Sequence, residues 1–251
     1  MNAKAILAAV CGVGLAVTTM GKTCTWLGGS GNWNDPEKWD GGEAGIPAKG
    51  DIVILTAGDA PAAITNNLGE FTVKYISFTG SQKVTLCGNR LNIEQKGGNY
   101  RPDLFLAACP VEVNVPVKMT CNGSEGYVNS TANVVFNCDF ELNYTGNCLR
   151  LRTDTGKSTT FNGSFTDVNP NGSTVWQLGD GALNFYGKVA VKTIDNNRGT
   201  ANGETHFYSS GNQVQKCVCD YNGKPLPIKV RRTDGKSGAV QATVTIDAAE
   251  T

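Results

Sequence analysis

The chain has 251 residues, and its 22 basic and 22 acidic residues cancel to a formal net charge of zero. No basic block occurs, so nucleic-acid or anionic-membrane partners, which need a positive electrostatic footprint, are not expected. With 31 glycines, frequent asparagine and only 18% charged residues, turns are many and long amphipathic helices few, which points to an all-β protein.

Residues Met1 to Lys4 form a short basic start, an apolar run follows from Ala5 to Val17, and small and polar residues close the segment at Gly21. That order is the layout of a secretory signal peptide over residues 1–21; the competing reading is a buried N-terminal helix. Cleavage is expected after Gly21, with Thr19 the next choice, and Cys11 leaves with the signal under either. The apolar run is shorter than the roughly 20 residues a membrane helix needs, and no later stretch approaches that length. The residues before Cys11 and Cys24 lack the small side chain that precedes a lipid-modified cysteine. The mature chain, about 230 residues, is therefore expected to be exported, soluble or surface-attached, and without a transmembrane segment.

Residues 22–50 read as a Trp/Gly-rich N-terminal cap. Three of the four tryptophans, Trp26, Trp33 and Trp39, fall within fourteen residues, and Pro47-Ala-Lys-Gly50-Asp51 leads straight into an apolar run. Residues 25–51, with Trp26-Leu-Gly-Gly-Ser-Gly-Asn-Trp33, the further Trp39 and this Pro-x-x-Gly-Asp turn, closely resemble the opening of bacterial autotransporter-type β-helix passengers. Surface proteins built from autotransporter-associated β-strand repeats open in the same way. The resemblance implies a right-handed parallel β-helix, exposed at or released from the cell surface, with structural, adhesive or glycan-related roles. The chain differs from that family in size, reaching Thr251 shortly after the strand expected at 242–246, where autotransporters continue through many more coils into a C-terminal barrel. Self-translocation and a C-terminal anchor are accordingly not expected. The tryptophans have two readings: a platform for stacking sugar rings, or a lid over the apolar end of a solenoid, and the lid is preferred.

Past the cap, short alternating or β-branched runs bounded by Gly, Asn, Asp and Pro recur at 51–55, 73–78, 83–86, 111–115, 132–136, 148–152, 174–178, 189–192 and 242–246. An aromatic followed two residues later by a small residue marks a loose repeat of somewhat over twenty residues: Phe136-Asn-Cys138, Phe161-Asn-Gly163, Phe185-Tyr-Gly187 and Phe207-Tyr-Ser209. Phe78-Thr-Gly80 reads as an earlier member. Second short strands after the markers, at 164–168 and 188–192, and third ones at 148–152 and 174–178, suggest three strands per coil. One coil of this length cannot bury its apolar face alone, but coils stacked about 4.8 Å apart place the phenylalanines over one another in a continuous core. Residues 51–251 are therefore expected to form parallel β-solenoid coils, with a β-sandwich as the alternative. Exposed residues beside the stacked phenylalanines become the first candidates for a binding face.

Eight cysteines remain after processing: Cys24, Cys87, Cys109, Cys121, Cys138, Cys148, Cys217 and Cys219. Their irregular spacing and the Cys217-Val-Cys219 pattern fit neither a zinc site nor a dithiol redox site, so structural disulfides or buried thiols are expected, and no metal. Cys87 and Cys109, separated by nearly one coil length, are one conceivable bridge on adjacent rungs. The lone histidine, His206, leaves Ser-His-Asp and multi-histidine sites without raw material and reads as a strand residue.

Glycan chemistry on a β-helix needs two carboxylates about 5 to 9 Å apart, or calcium-binding carboxylates with a basic proton acceptor. Asp154, Asp167, Asp180 and Asp195 lie mostly beside Thr, Asn or Gly, where aspartate closes turns. Asp180 follows Asp154 by close to one coil length, so the two could stack. Arg150, Arg152, Arg231 and Arg232 are the available basic partners. Asn-x-Ser/Thr sequons at Asn122, Asn129, Asn143, Asn162 and Asn171 would suit a glycosylated secreted chain. The expectation is a non-enzymatic surface solenoid, without cofactor, that binds a glycan or a cell-surface protein. A β-helix lyase or glycoside hydrolase is the alternative.

Overall fold

The computed structural model describes residues 21–41, 45–95, 103–122, 125–144, 148–168, 174–191, 193–196, 205–207, 217–218 and 228–230. Residues 1–20 of the expected signal segment, the strand expected at 242–246, Asn171, Cys219, Arg231 and Arg232 lie outside these residues. So do the side chains of Asp195, His206 and Cys217, whose strands are described by backbone alone.

Successive strands go to successive sheets. Ile52–Thr56 joins a ten-stranded sheet, Ala62–Asn66 a nine-stranded sheet and Phe71–Val73 a six-stranded sheet, and Tyr75–Thr79 then returns to the first. The described coils repeat the cycle through Val189–Ala190, and strands three apart in the chain pair there in parallel, as in Ile52–Thr56 with Tyr75–Thr79. The molecule is thus an all-β, three-sided parallel β-solenoid. A sandwich is excluded, because among the described strands the only antiparallel pair is Thr23–Trp26 with Trp39–Asp40.

The alternation in each strand explains this arrangement. Val134 and Phe136 point inward while Val135 faces out, and Val117, Met119 and Cys121 are buried while Lys118 and Thr120 face solvent. In the nine-stranded sheet Phe136, Phe161, Phe185 and Phe207 occupy one register position on successive rungs, as the spacing predicts. The rings of Phe136, Phe161 and Phe185 lie nearly parallel, with centroids 4.9 and 5.2 Å apart. A second column from the six-stranded sheet, Phe140 over Phe165 at 5.5 Å, meets the first at steep angles.

Phe78 is a correction. It stands in the ten-stranded sheet opposite Leu55 and Ala107, and the column of Phe136 continues instead through Val113 to Leu86, where the marker pattern would have placed Phe78. The run 73–78 in fact divides at Lys74, whose N–H donates to the Asp51 carbonyl at 2.8 Å and turns the chain from one sheet to the next. Phe78 still joins the aromatic core through Phe105, which lies 5.0 Å from it and 5.2 Å from Phe136. Coil lengths also vary more than the markers suggest. The coil from Ile76 to its rung partner Phe105 is about half as long again as the one from Trp176 to Asp195, since corners absorb insertions without disturbing strand register.

The small residue of the marker has a steric cause. A Cβ on Gly163 would stand 2.4 Å from the carbonyl carbon of Cys138, and one on Gly187 would stand 2.2 Å from the carbonyl oxygen of Gly163, so this corner stacks backbone directly on backbone.

At the N-terminal end the parallel ladder begins at Thr23, before the expected start at 51, with Cys24 opposite Val53. The short antiparallel strand Trp39–Asp40 then closes the edge of the ten-stranded sheet. Trp26, Trp33 and Trp39 are buried, with Trp39 edge-on to both others at 5.0 and 5.7 Å, and Trp33 edge-on to Phe71 at 5.4 Å. The Trp39 indole N–H donates to the Trp33 carbonyl at 2.9 Å, and that of Trp26 to the Gly29 carbonyl at 2.8 Å. Asp51 ties this region to the first full coil. Its buried carboxylate accepts from the N–H of Lys22 and of Ala48, each at 2.8 Å, and from the Cys24 thiol at 3.4 Å.

Candidate functional site

Each sheet turns an outer face to solvent, and the three faces differ in chemistry. On the six-stranded sheet, Glu141 is bound by Lys118 at 2.6 Å and Arg90 at 3.0 Å, and Asn92 donates to Glu70 at 2.8 Å. Those charges are paired with one another, although Arg90 Nε and Asn92 Oδ1 are buried without a hydrogen-bond partner. The Lys118 hydrogen bond, with Arg90 adding to it, holds the Glu141 carboxyl below its ordinary range.

On the nine-stranded sheet the residues beside the stacked phenylalanines form an amide ladder. Asn162 donates to Asn137, and Asn137 to Asn114, both at 2.6 Å, while Asn137 also donates to Glu112 at 3.0 Å. Lys83 pairs with Glu112 at the same ladder. This face, the first candidate from the sequence, has its amide side chains engaged with each other.

The ten-stranded sheet is different. Tyr127, Arg150 and Trp176 share one outward register position on three consecutive rungs. The Arg150 guanidinium lies 5.4 Å from the Tyr127 ring and 4.6 Å from the Trp176 ring, a cation held between two aromatics. It is fixed from the side by Glu125, whose Oε1 accepts from Nη2 at 2.6 Å; the two side chains, Arg150 and Glu125, are only 13% and 4% exposed. A charge this well buried requires a close partner, and Glu125 supplies it. The result is a rigid, partly exposed row with both ring systems oriented by one planar cation.

The row ends beside a polar groove at the corner leading to the nine-stranded sheet. Arg152, Asp154, Thr155, Gly179 and Asp180 line its near part, and Asp180 also lines the further part with Asn133, Lys157 and Ser158. Arg152 reaches Asp154 at 3.7 Å with both side chains about half exposed. The turn is locked locally, the Lys157 N–H donating to the Asp154 carbonyl at 3.0 Å and the Ser158 N–H to the Asn133 side chain at 2.9 Å. Gly179 and Gly181 pack directly on the preceding rung, since a Cβ at either position would meet backbone oxygen at 2.3 or 2.4 Å.

Of the residues singled out from sequence, Arg152, Asp154 and Asp180 come together in this groove, and Arg150 stands two residues before Arg152 on the same strand. Asp167 does not; it points inward opposite Leu142 and is buried. Asp195 belongs to a strand whose backbone pairs opposite Trp176, and His206 pairs opposite Asn184. Tyr127, Glu125 and Trp176 are site residues that sequence reasoning does not single out. Their signal is an offset of one coil to either side of Arg150, legible only once the ten-stranded register is known.

The tryptophans of the N-terminal end present no ring face to a ligand, since their faces pack on one another and on the core. Cys24, Cys87, Cys109, Cys121 and Cys138 stand outside any disulfide. Cys87 and Cys109 are not a bridging pair: Val84 faces Val111, so Cys87, three residues after Val84, and Cys109, two before Val111, are five register positions apart. Cys24, Cys109, Cys121 and Cys148 are buried, and burial pushes the Cys24 thiol from an ordinary 9.0 up to about 12, reinforced by Asp51. Burial likewise raises Cys109 and Cys138. Cys121 stacks between Gln95 and Tyr144, whose phenol is pushed upward by burial and then by its contact with Cys121. Among the described residues no three metal-ligating side chains converge.

Comparison of the chain with protein-family models, with curated proteins and with solved structures returns no match. Fold and site together define the class as a parallel β-solenoid with a cation–aromatic row on one long face.

Proposed function

We propose that this chain is an exported, non-enzymatic β-solenoid that acts at or outside the cell surface and binds a glycan on the outer face of its ten-stranded sheet. The carrying observation is the row Tyr127, Arg150, Trp176, in register on three rungs and braced by the buried Glu125. Aromatic faces pack on the C–H faces of sugar rings, and a preorganised row binds without first ordering its side chains. The groove of Arg152, Asp154 and Asp180 continues the row with hydrogen-bonding groups suited to sugar hydroxyls. The layout of residues 1–21 supports export.

Titration of the purified chain against a panel of oligosaccharides tests the binding. Trp176→Ala and Tyr127→Ala should each weaken the best ligand about tenfold or more, roughly 1.4 kcal/mol, with an unchanged circular dichroism spectrum. Binding that survives both substitutions, or binding to cell-surface proteins in place of any oligosaccharide, overturns the reading. For export, residues 1–21 fused to a periplasmic reporter should direct its secretion. A second reading, a glycan-active enzyme, is favoured by Asp154 and Asp180 lining one groove. Release of product from a polysaccharide panel, with and without calcium, and its loss in Asp154→Asn or Asp180→Asn, would establish that reading.

A further inference from the structure

Resting on the glycan-binding reading of this face, we infer that its ligand is a neutral glycan, and that uronate-containing and sulfated glycans are discriminated against. The argument is one of charge pairing. Arg150 is the cation at the centre of the row, and Glu125 meets it at 2.6 Å with its carboxylate almost wholly out of solvent. The guanidinium therefore reaches the surface as a planar, stacked group whose charge is already compensated.

Arg152 is matched by Asp154 at 3.7 Å, and Lys157 shares its part of the groove with Asp180. Three cations thus stand among three carboxylates. A fourth carboxylate, Asp103, sits opposite Tyr127 on the preceding rung and accepts from Asn129 at 3.4 Å. An anionic sugar brought to this face would have to displace an existing ion pair or lie beside a carboxylate, and like charges side by side disfavour binding. A neutral pyranose would displace no ion pair here: Arg150 covers one face of each ring, so the sugar's apolar face would lie across what Tyr127 and Trp176 leave exposed, and its hydroxyls would meet the groove.

The test pairs each neutral oligosaccharide with its uronate counterpart, for example galacto-oligosaccharide with oligogalacturonate, at low and high ionic strength. The neutral member should bind at least about tenfold more tightly, with an affinity nearly independent of salt. Asp154→Asn, on the surface and away from the core, should raise the ratio of uronate to neutral affinity several-fold by leaving Arg152 uncompensated, whatever the substitution takes from hydroxyl contacts common to both ligands. Glu125→Gln should do the same more strongly at Arg150; should that variant misfold, Asp154→Asn still decides. Tighter, salt-sensitive binding of the uronate by the native chain, or no rise of the uronate-to-neutral affinity ratio in Asp154→Asn, overturns the inference and leaves glycan binding standing. Failure of every oligosaccharide to bind removes the underlying reading.

Discussion

Phe161 lies where the two aromatic columns interlock, so Phe161→Ala is the most demanding perturbation of the core. Phe136 and Phe185 stack on it at 4.9 and 5.2 Å, while Phe165 and Phe140 meet it at 4.7 and 5.3 Å. The side chain is fully buried, and truncating a buried phenylalanine costs about 3 to 5 kcal/mol through lost transfer energy and the cavity left behind. Backbone pairing on both sides, to Phe136 and to Phe185, prevents the neighbouring rungs from collapsing into that cavity. The loss should therefore fall in the upper half of the range, about 4 kcal/mol, whereas Phe161→Leu, which refills most of the space, should cost about 1 to 2 kcal/mol. Urea titration followed by far-ultraviolet circular dichroism measures it. Because stability in a solenoid is a sum over coils and their interfaces, the deficit should also appear as a split transition, with the tryptophan-rich end unfolding separately from the damaged coils. A loss below about 1 kcal/mol would refute the interlocked core, since only a side chain with few fixed neighbours is removed so cheaply.

Gly163→Ala should destabilise by about 2 kcal/mol or more, because its Cβ meets the Cys138 backbone. Gly156→Ala has open space around its Cβ and only the strain of φ +72°, about 1 kcal/mol; equal losses in the two variants would count against the stacked corner. Asp51→Ala removes the acceptor of two backbone N–H groups and should cost about 3 kcal/mol, detected by tryptophan fluorescence during denaturation. Cys24 should resist thiol reagents in the native chain under mildly alkaline conditions. Its raised value means the folded state keeps a proton that the unfolded chain releases, so stability should decline as pH rises from 9.0 towards about 12, and less so in Cys24→Ala. At the acid end, hydrogen bonds from Lys83 to Glu112, Ser164 to Asp139 and Lys118 to Glu141 lower those carboxyls. Their contribution is present above the ordinary carboxylate range and disappears as pH falls through the lowered values. These groups are partly exposed, so the midpoint temperature should drop modestly with acid and the drop should shrink in high salt.

Chain-local features carry the fold. Alternation inside runs such as 111–115 and 132–136, glycine and asparagine at the corners, and the spacing of Phe136, Phe161, Phe185 and Phe207 are enough for a three-stranded coil. Each of these signals is the direct consequence of side-chain period or of steric limits at a turn. Strands such as Glu125–Ser130 and Leu91–Gln95 are not legible in the same way, because Gly, Asn and Gln sit within them, and stacking on neighbouring rungs, not local propensity, holds them extended.

Which strand meets which was decided only in three dimensions. Coils of unequal length cannot be aligned by counting, and a slip of one residue exchanges inner and outer faces. For that reason Phe78 belongs to another sheet, Cys87 and Cys109 fall out of register, and Asp167 turns inward. The same register brings Tyr127 and Trp176 onto either side of Arg150, with Glu125 buried beside it. The chain's sequence by itself determined that it would stack into a solenoid, because each coil's apolar stripe has no partner but the next coil. The tertiary structure alone determined what that solenoid presents, because an outer face is assembled from residues a full coil apart in the chain.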